Sequence, residues 1–201
     1  FITPHQLGFK LISVNVSDIY AMGGEPEHVL MNLALPAKID EAFLDELLAG
    51  TKAALKHYHA ALVGGDLSAS SSGTALSATV LGRAERPIRR SGARQGDAIF
   101  VTGSLGDSAC GLALLKELGH PVDLRKRHRG PLGWNTMKPL LERHLMPEAR
   151  RPGVISRKAT AMIDLSDGLF IDSWRLAKES GTGIRFYEDQ LPLSPDMRRA
   201  A

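Results

Sequence analysis

Val14-Asn15-Val16-Ser17-Asp18-Ile19-Tyr20-Ala21-Met22-Gly23-Gly24-Glu25-Pro26 is the stretch from which the fold is read. It reads as the last turns of a helix that begins near Pro4. Thr3, Pro4 and Gln6 supply the start: a Thr N-cap, proline at the first helical position, and Gln placed to complete a capping box. Gly23-Gly24 followed by Pro26 supplies the stop. At about 100° per residue, Gln6, Lys10, Ser13 and Ser17 form one narrow polar sector. Asp18 falls outside it, in line with the apolar Leu7, Leu11, Val14 and Met22. An ionised carboxylate buried there without a partner costs several kcal/mol. The pattern therefore calls for Lys or Arg, helix-end amides or a metal ion beside Asp18; an Asp that caps a neighbouring loop is the alternative.

The 201 residues allow one large domain or two small ones. With 43% hydrophobic and 23% charged residues, the composition is that of a globular protein, and no apolar run approaches the ~20 residues that span a membrane. Cys110 is the only cysteine, which excludes a disulfide framework and a cysteine-based metal site and suits a reducing, cytoplasmic setting. The chain opens at Phe1 without Met and runs straight into a helix cap, so it reads as an internal stretch of a longer protein. Through Ser91 there are 8 Lys and Arg against 9 Asp and Glu; beyond it there are 17 against 13. The basic excess sits at Arg125-Lys126-Arg127-His128-Arg129 and Arg150-Arg151, without interleaved aromatics, and reads as solvated loop rather than a nucleic-acid surface.

Strands alternating with helices read as an α/β protein. His28 to Leu35 is an apolar strand ended by Pro36. Asp40 caps a helix with Leu44, Leu47, Leu48, Thr51, Leu55 and Tyr58 at helical spacing, and His57 and His59 near its end suit the negative end of the helix dipole. Ala61-Leu62-Val63 reads as a short strand that delivers Gly64-Gly65-Asp66 at its end, where α/β folds bind ligands; a tight turn is the alternative. Ser68 to Gly73 reads as a loop, Thr74 to Arg83 as a strand, Ala98 to Thr102 as a buried strand and Gly183 to Tyr187 as another. Arg90, beside Ser91 and Gly92, could offer a planar fork to phosphate oxygens, though a surface arginine needs no such role. A boundary between Arg90 and Asp97 divides the chain into units 1–92 and 93–201. Gly103-Ser104-Leu105-Gly106-Asp107 leads into a helix over Ser108 to Leu118 with Asp107 as its cap, and its glycine spacing fits neither phosphate-binding fingerprint. Asn135 is expected to cap a helix through His144.

Asp164-Leu165-Ser166-Asp167-Gly168 joins an apolar segment to a helix over Leu169 to Glu179. If that first turn is helical, Asp164 and Asp167 share a face with Ser166 beside them. Such a pair suits Mg²⁺, which takes carboxylate and phosphate oxygens together; a doubled N-cap is the alternative. Asp18, Asp66 and the Asp164/Asp167 pair each adjoin an apolar segment with glycine close by. No HExxH, CxxC or Gly-x-Ser-x-Gly is present, so zinc hydrolysis and serine chemistry have no support. Carboxylates without a matching set of lysines suggest Mg²⁺ bridging a polyphosphate, and phosphoryl transfer needs mainly positioning and charge neutralisation.

The segments Asn15 to Pro26, Leu33-Ala34-Leu35-Pro36, Gly64-Gly65-Asp66, Arg90-Ser91-Gly92-Ala93, Gly96-Asp97, Thr102 to Asp107 and Ile163 to Leu169 occur in the order seen in the thiamine-monophosphate kinase family. The chain resembles that family over nearly its whole length. The superfamily also contains aminoimidazole ribonucleotide synthetase and selenophosphate synthetase, and Tyr20-Ala21-Met22-Gly23-Gly24 is similar to the selenophosphate branch as well. The resemblance implies a two-domain aminoimidazole ribonucleotide synthetase-like fold. Its N-terminal domain would dimerise through its sheet, with ATP between the domains. It further implies Mg²⁺ ligation by Asp18, Asp66, Asp164 and Asp167. Gly65 and Asp66 would approach the nucleotide phosphates, Arg90 would contact ATP, and Ser166 would hydrogen-bond it. The implied reaction moves the ATP γ-phosphoryl group to thiamine monophosphate, giving thiamine diphosphate, in a cytoplasmic homodimer with no nucleic-acid or membrane partner. The family carries further metal-binding acids, a Thr-Asp pair among them, ahead of the point matching Phe1. A Glu-Asp-Tyr-Glu-Leu-like segment and an aromatic substrate contact follow the point matching Ala201.

Overall fold

The computed structural model describes residues 1–200. Helix α1, Pro4–Ala21, starts as its sequence dictates: the Thr3 hydroxyl accepts from the Gln6 amide, and the Gln6 side chain accepts from the Thr3 amide at 2.9 Å. Helix α2, Glu41–Tyr58, is capped by Asp40, whose carboxylate accepts from the Ala42 amide at 3.0 Å, and it closes on His59 in the left-handed conformation. Glycine lets the two helices cross closely. A Cβ on Gly50 would lie 1.8 Å from the His5 carbonyl oxygen, and one on Gly8 would lie 2.1 Å from that of Leu47.

Both helices cover one face of a three-stranded sheet of order β2-β1-β3. Strand β1, Glu25–Pro36, is central; it runs parallel to β2, Ala61–Ser70, and antiparallel to β3, Ala75–Arg83. Alternation puts Val29, Met31, Leu33 and Leu35 of β1 against Ile12, Val16, Tyr20, Leu47, Ala54 and Tyr58. Each such buried side chain contributes roughly 1.5–3 kcal/mol. Leu30 and Asn32 point to the other face, which no element covers among the described residues.

In the second half, α3 (Asp107–Leu118) and α4 (Trp134–Leu145) pack around Leu115, Val122, Met137, Leu140, Leu141 and Leu145. Helices α5 (Val154–Lys158), α6 (Leu169–Ser180) and α7 (Pro195–Ala200) follow. The polar sector of α1 joins the halves. The Gln6 amide donates to the Val122 carbonyl and the Lys10 ammonium to the His144 carbonyl, both at 2.7 Å. The Ser13 hydroxyl donates to the Pro147 carbonyl and lies 2.6 Å from the Tyr58 hydroxyl, which accepts from the Ala149 amide at 2.8 Å.

Several sequence expectations are corrected. The α1 sector of Gln6 and Ser13 is buried, while Val14, Asp18 and Met22 are exposed, because the polar residues hydrogen-bond the second half; Asp18 is therefore not a buried carboxylate. Strand β2 runs on through Gly64, Gly65, Asp66 and Ser68 to Ser70, since their backbone pairs in register with Leu30 to Pro36. Ala98 to Thr102 and Gly183 to Tyr187 are not strands: among the described residues they pair with no other strand, and Ile99 and Phe100 are exposed. The only described bridge in this half joins Leu105 to Leu193. Gly106 rather than Asp107 is the N-cap residue of α3, and Gly133 rather than Asn135 that of α4. Asp107 instead accepts from the Ser104 and Ser194 hydroxyls, both at 2.7 Å.

Gly50→Ala forces α2 away from α1 and is expected to lower stability by about 1–3 kcal/mol, the cost typical of overpacking. Urea denaturation checks this, with a lower midpoint at unchanged m-value as the expected result.

Candidate functional site

A cavity of about 680 Å³ opens where the end of α1 meets the 88–91 and 162–164 segments. Asp18, Met22, Ile88, Arg90, Asp164 and Glu179 are among the residues that line it. Its walls are pinned by backbone bonds. The Met162 amide donates to the Arg89 carbonyl at 3.0 Å, and the Ser180 hydroxyl donates to the Arg90 carbonyl at 2.9 Å. Gly92 lets the chain pass the Thr160 carbonyl, 2.6 Å from where a Cβ would sit. Asp97 accepts from the Thr160 hydroxyl at 2.7 Å and from the Arg94 amide at 2.9 Å. The Arg90-Ser91-Gly92-Ala93 and Gly96-Asp97 motifs thus shape the wall on which Arg90 stands.

Asp18 sits in the last turn of α1, where the helix dipole is negative and no basic residue lies in the turn. Although Asp18 is exposed, partial desolvation at the cavity wall raises its pKa, the charge of Asp164 raises it further, and Arg90 opposes both. Two carboxylates that repel each other across a cavity beside an arginine are a place where a hard cation would bring relief. Mg²⁺ characteristically takes one or two carboxylates and completes its shell with water and phosphate oxygens, so this donor set fits it. Among the described residues, no three His, Cys, Asp or Glu side chains come together as a metal-holding group.

The other expected site residues lie elsewhere. Asp66 is exposed on β2 and pairs in register with Asn32, on the sheet face away from α1 and α2. Gly65 has a reason within the sheet: a Cβ there would lie 1.8 Å from the Met31 carbonyl oxygen. The 164–168 segment is not helical, so Asp164 and Asp167 do not share a helix face as the sequence suggested; α6 begins at Leu169. Asp164 turns to the cavity, whereas Asp167 accepts from the Arg175 guanidinium at 2.5 Å. Ser166 is exposed.

Sequence reasoning missed Asp172. Its side chain is 1% exposed. One carboxylate oxygen accepts from the Ser166, Asp167 and Gly168 amides at 3.1, 3.0 and 3.0 Å, and the other accepts from Arg175 at 3.0 Å. The bonds from Asp167 and Asp172 hold the Arg175 guanidinium above its ordinary pKa. The available signal was the start of α6 at Gly168, which has no side chain to cap its own helix.

The sequence pattern of the AIR synthase related protein N-terminal domain matches residues 1–84, and that of the C-terminal domain matches residues 94–199. The chain belongs to the AIR synthase related protein family. Among the curated relatives of this family member is the thiamine-monophosphate kinase of Aquifex aeolicus (strain VF5), 39% identical over 97% of this chain and 60% of that protein. That of Salmonella typhimurium is 37% identical over 98% of this chain and 58% of that protein. The solved structure of AaThiL complexed with AMPPCP and TMP superposes with a TM-score of 0.87 at 38% identity, covering 98% of this chain and 60% of that one. Escherichia coli HypE, a hydrogenase maturation protein, shares the fold at 19% identity with a TM-score of 0.67. The chain thus spans about 60% of the length of the relatives it matches, and the two-domain α/β architecture is that of the family. Among the described residues no helix is long and apolar enough to cross a membrane.

A raised carboxyl pKa means that the folded state binds a proton more tightly than the unfolded chain, so stability falls as pH rises through the folded value. Asp18→Asn should therefore raise the melting temperature at pH 7 in chelator-treated buffer. The gain should shrink toward zero as pH falls below the ordinary aspartate range, and thermal melts from pH 3.5 to 7.5 check the sign.

Proposed function

We propose that the chain is the larger part of a thiamine-monophosphate kinase, which transfers the γ-phosphoryl group of ATP to thiamine monophosphate and releases thiamine diphosphate and ADP. The observation that carries this reading is the single cavity gathering Asp18, Arg90 and Asp164. It is supported by the kinase names of the relatives and by the similarity to AaThiL complexed with AMPPCP and TMP, the first of these being a non-hydrolysable ATP analogue. In this reading residues 1–92 form the nucleotide-binding unit and 93–201 the unit that closes on it.

Asp18 and Asp164 would hold Mg²⁺ at the cavity, and Asp66 and Asp167, which stand apart from it, would serve as ligands of further Mg²⁺. Bound Mg²⁺ supplies charge neutralisation on the phosphate oxygens. Arg90 presents its guanidinium fork to the nucleotide phosphates, Gly65 and Asp66 approach them along β2, and Ser166 donates a hydrogen bond to ATP. With both reactants anionic, the residues act by holding the acceptor phosphate in line and by offsetting charge rather than by taking a proton. The protein is cytoplasmic in this reading.

The sheet face bearing Leu30 and the exposed β2, with Leu62, Val63 and Leu67 open to solvent, suit a homodimer formed through the sheets. Light scattering of the full-length protein should give twice the monomer mass; a monomer at micromolar concentration overturns the dimer.

The kinase reading is tested with the full-length protein, ATP, Mg²⁺ and thiamine monophosphate, following thiamine diphosphate by chromatography. Asp164→Asn should lower kcat/KM at least 100-fold, or ~3 kcal/mol of transition-state stabilisation, with little change in melting temperature. No thiamine diphosphate from the unsubstituted protein overturns the reading.

A further inference from the structure

A second cavity, of about 310 Å³, opens on the seam between the halves, where the first turns of α1 meet the last turn of α4. Its walls are Phe1, Ile2, Leu7, Lys10, His144 and Leu145. The volume lies at the small end of the range of ligand cavities, roughly 300–1,000 Å³. Hydrogen bonds fix the rim. The Val122 amide donates to the Phe1 carbonyl at 3.3 Å, and the Gln6 side chain donates to the Val122 carbonyl at 2.7 Å. Ile2 packs on the core around Leu115 and Met137, and Leu7 on the one around Leu33 and Leu47.

The walls are mainly apolar, and the charge among them has one sign. Lys10 is half-buried and uses one N–H on the His144 carbonyl at 2.7 Å, which leaves two. Among the described residues no carboxylate pairs with it. The His144 Nδ1 lies 3.0 Å from the Ser108 hydroxyl. Burial and the Lys10 charge lower the pKa of that ring, so at neutral pH the cavity carries the single positive charge of Lys10. A partly dehydrated ammonium in an apolar recess, without a counter-ion, is matched by a ligand with one negative charge and an apolar body.

We propose that this seam cavity binds a small organic monocarboxylate with an aromatic or aliphatic body. The carboxylate accepts from the two remaining N–H groups of Lys10, and the body lies against Phe1, Ile2, Leu7 and Leu145. One ammonium matches one charge, which favours a carboxylate over a phosphate dianion. Because Lys10 belongs to α1 and Leu145 to α4, an occupant ties together two helices that join the halves. The site shares no lining residue with the cavity of Asp18 and Arg90, and it does not depend on the kinase reading.

The test titrates phenylacetate and its uncharged amide, phenylacetamide, into the full-length protein by calorimetry. Phenylacetate should bind with a Kd of about 1 mM or tighter and raise the melting temperature with its concentration, and the amide should bind at least tenfold more weakly. Lys10→Gln keeps a donor for the His144 carbonyl but removes the charge, and should bring phenylacetate down to the level of the amide. Phe1→Ala shortens an exposed wall and should weaken phenylacetate several-fold at unchanged melting temperature. Arg90→Ala removes the cation of the other cavity and should leave phenylacetate binding within twofold. Equal binding of acid and amide, no saturable binding up to about 10 mM, or unchanged binding in Lys10→Gln or Phe1→Ala overturns the site. Loss of binding in Arg90→Ala also overturns it, since the anion then belongs to the other cavity. Should Lys10→Gln fail to fold, the Phe1→Ala variant and the comparison of acid with amide decide.

Discussion

The Lys10 ammonium rests on the carbonyl of His144, in the last turn of α4, and the rest of the structure depends on the seam to which that bond belongs. The last carbonyls of a helix lack intrahelical partners and carry the negative end of its dipole, so a lysine from another element caps α4 in a way its own sequence does not. Burial removes part of the hydration of Lys10 and pushes its pKa down; the His144 carbonyl is the acceptor that takes the place of water. Burial also lowers the pKa of His144, and the charge of Lys10 adds to the effect, so the ring stays neutral where the two would otherwise repel. Further along α1, Ser13 and Tyr58 fix Pro147 and Ala149, the residues that lead α4 toward α5. The exposed Glu25–Arg151 and His57–Glu148 pairs border the seam and contribute little by comparison. With α1 held against the second half, Asp18 at its end is brought to the same cavity as Asp164, 146 residues away in the chain.

The same helix meets three environments. One side packs on the sheet through Ile12 and Val16, one bonds the second half through Gln6, Lys10 and Ser13, and the third carries Val14, Asp18 and Met22 into the open. The glycine crossing with α2 leaves no latitude in the first contact, since backbone meets backbone there. The helix layer thus sits closely on one face of the sheet, and the other face, with Asn32 and Asp66, is open among the described residues.

What the sequence made legible was local. Thr3 with Gln6, Asp40 ahead of α2 and the apolar run of β1 are each decided by neighbours within a few positions, and each is found in the structure. The side of α1 that is buried was not legible. Periodicity separates a polar sector from an apolar one, but it cannot say that the polar sector will find carbonyls on another domain. Ala98 to Thr102 and Gly183 to Tyr187 have strand composition, yet a strand exists only where a ladder partner is present. Gly64-Gly65 looked like a chain ending its strand, whereas Gly65 is what allows β2 to continue past Met31. The candidate acids stood out by adjoining apolar segments with glycine close by, and the resemblance joined them into one ligand set. Asp172 escaped because a single acid in an amphipathic helix carries no periodic signal when its partners are amides of its own preceding turn.

Two aspartates at helix ends differ sharply in how far their surroundings satisfy them. Asp172 stands at the positive end of α6, accepts three amide hydrogens and an arginine, and lowers the energy of the fold where it is. Asp18 stands at the negative end of α1, with no basic residue in its turn and a second carboxylate raising its pKa. Folding alone would favour almost any neutral residue at position 18, since desolvation, dipole and the Asp164 charge all act against the carboxylate and only Arg90 acts for it. A side chain that the fold works against, placed at the rim of a cavity shared with Arg90 and Asp164, is what the proposed cation site would account for.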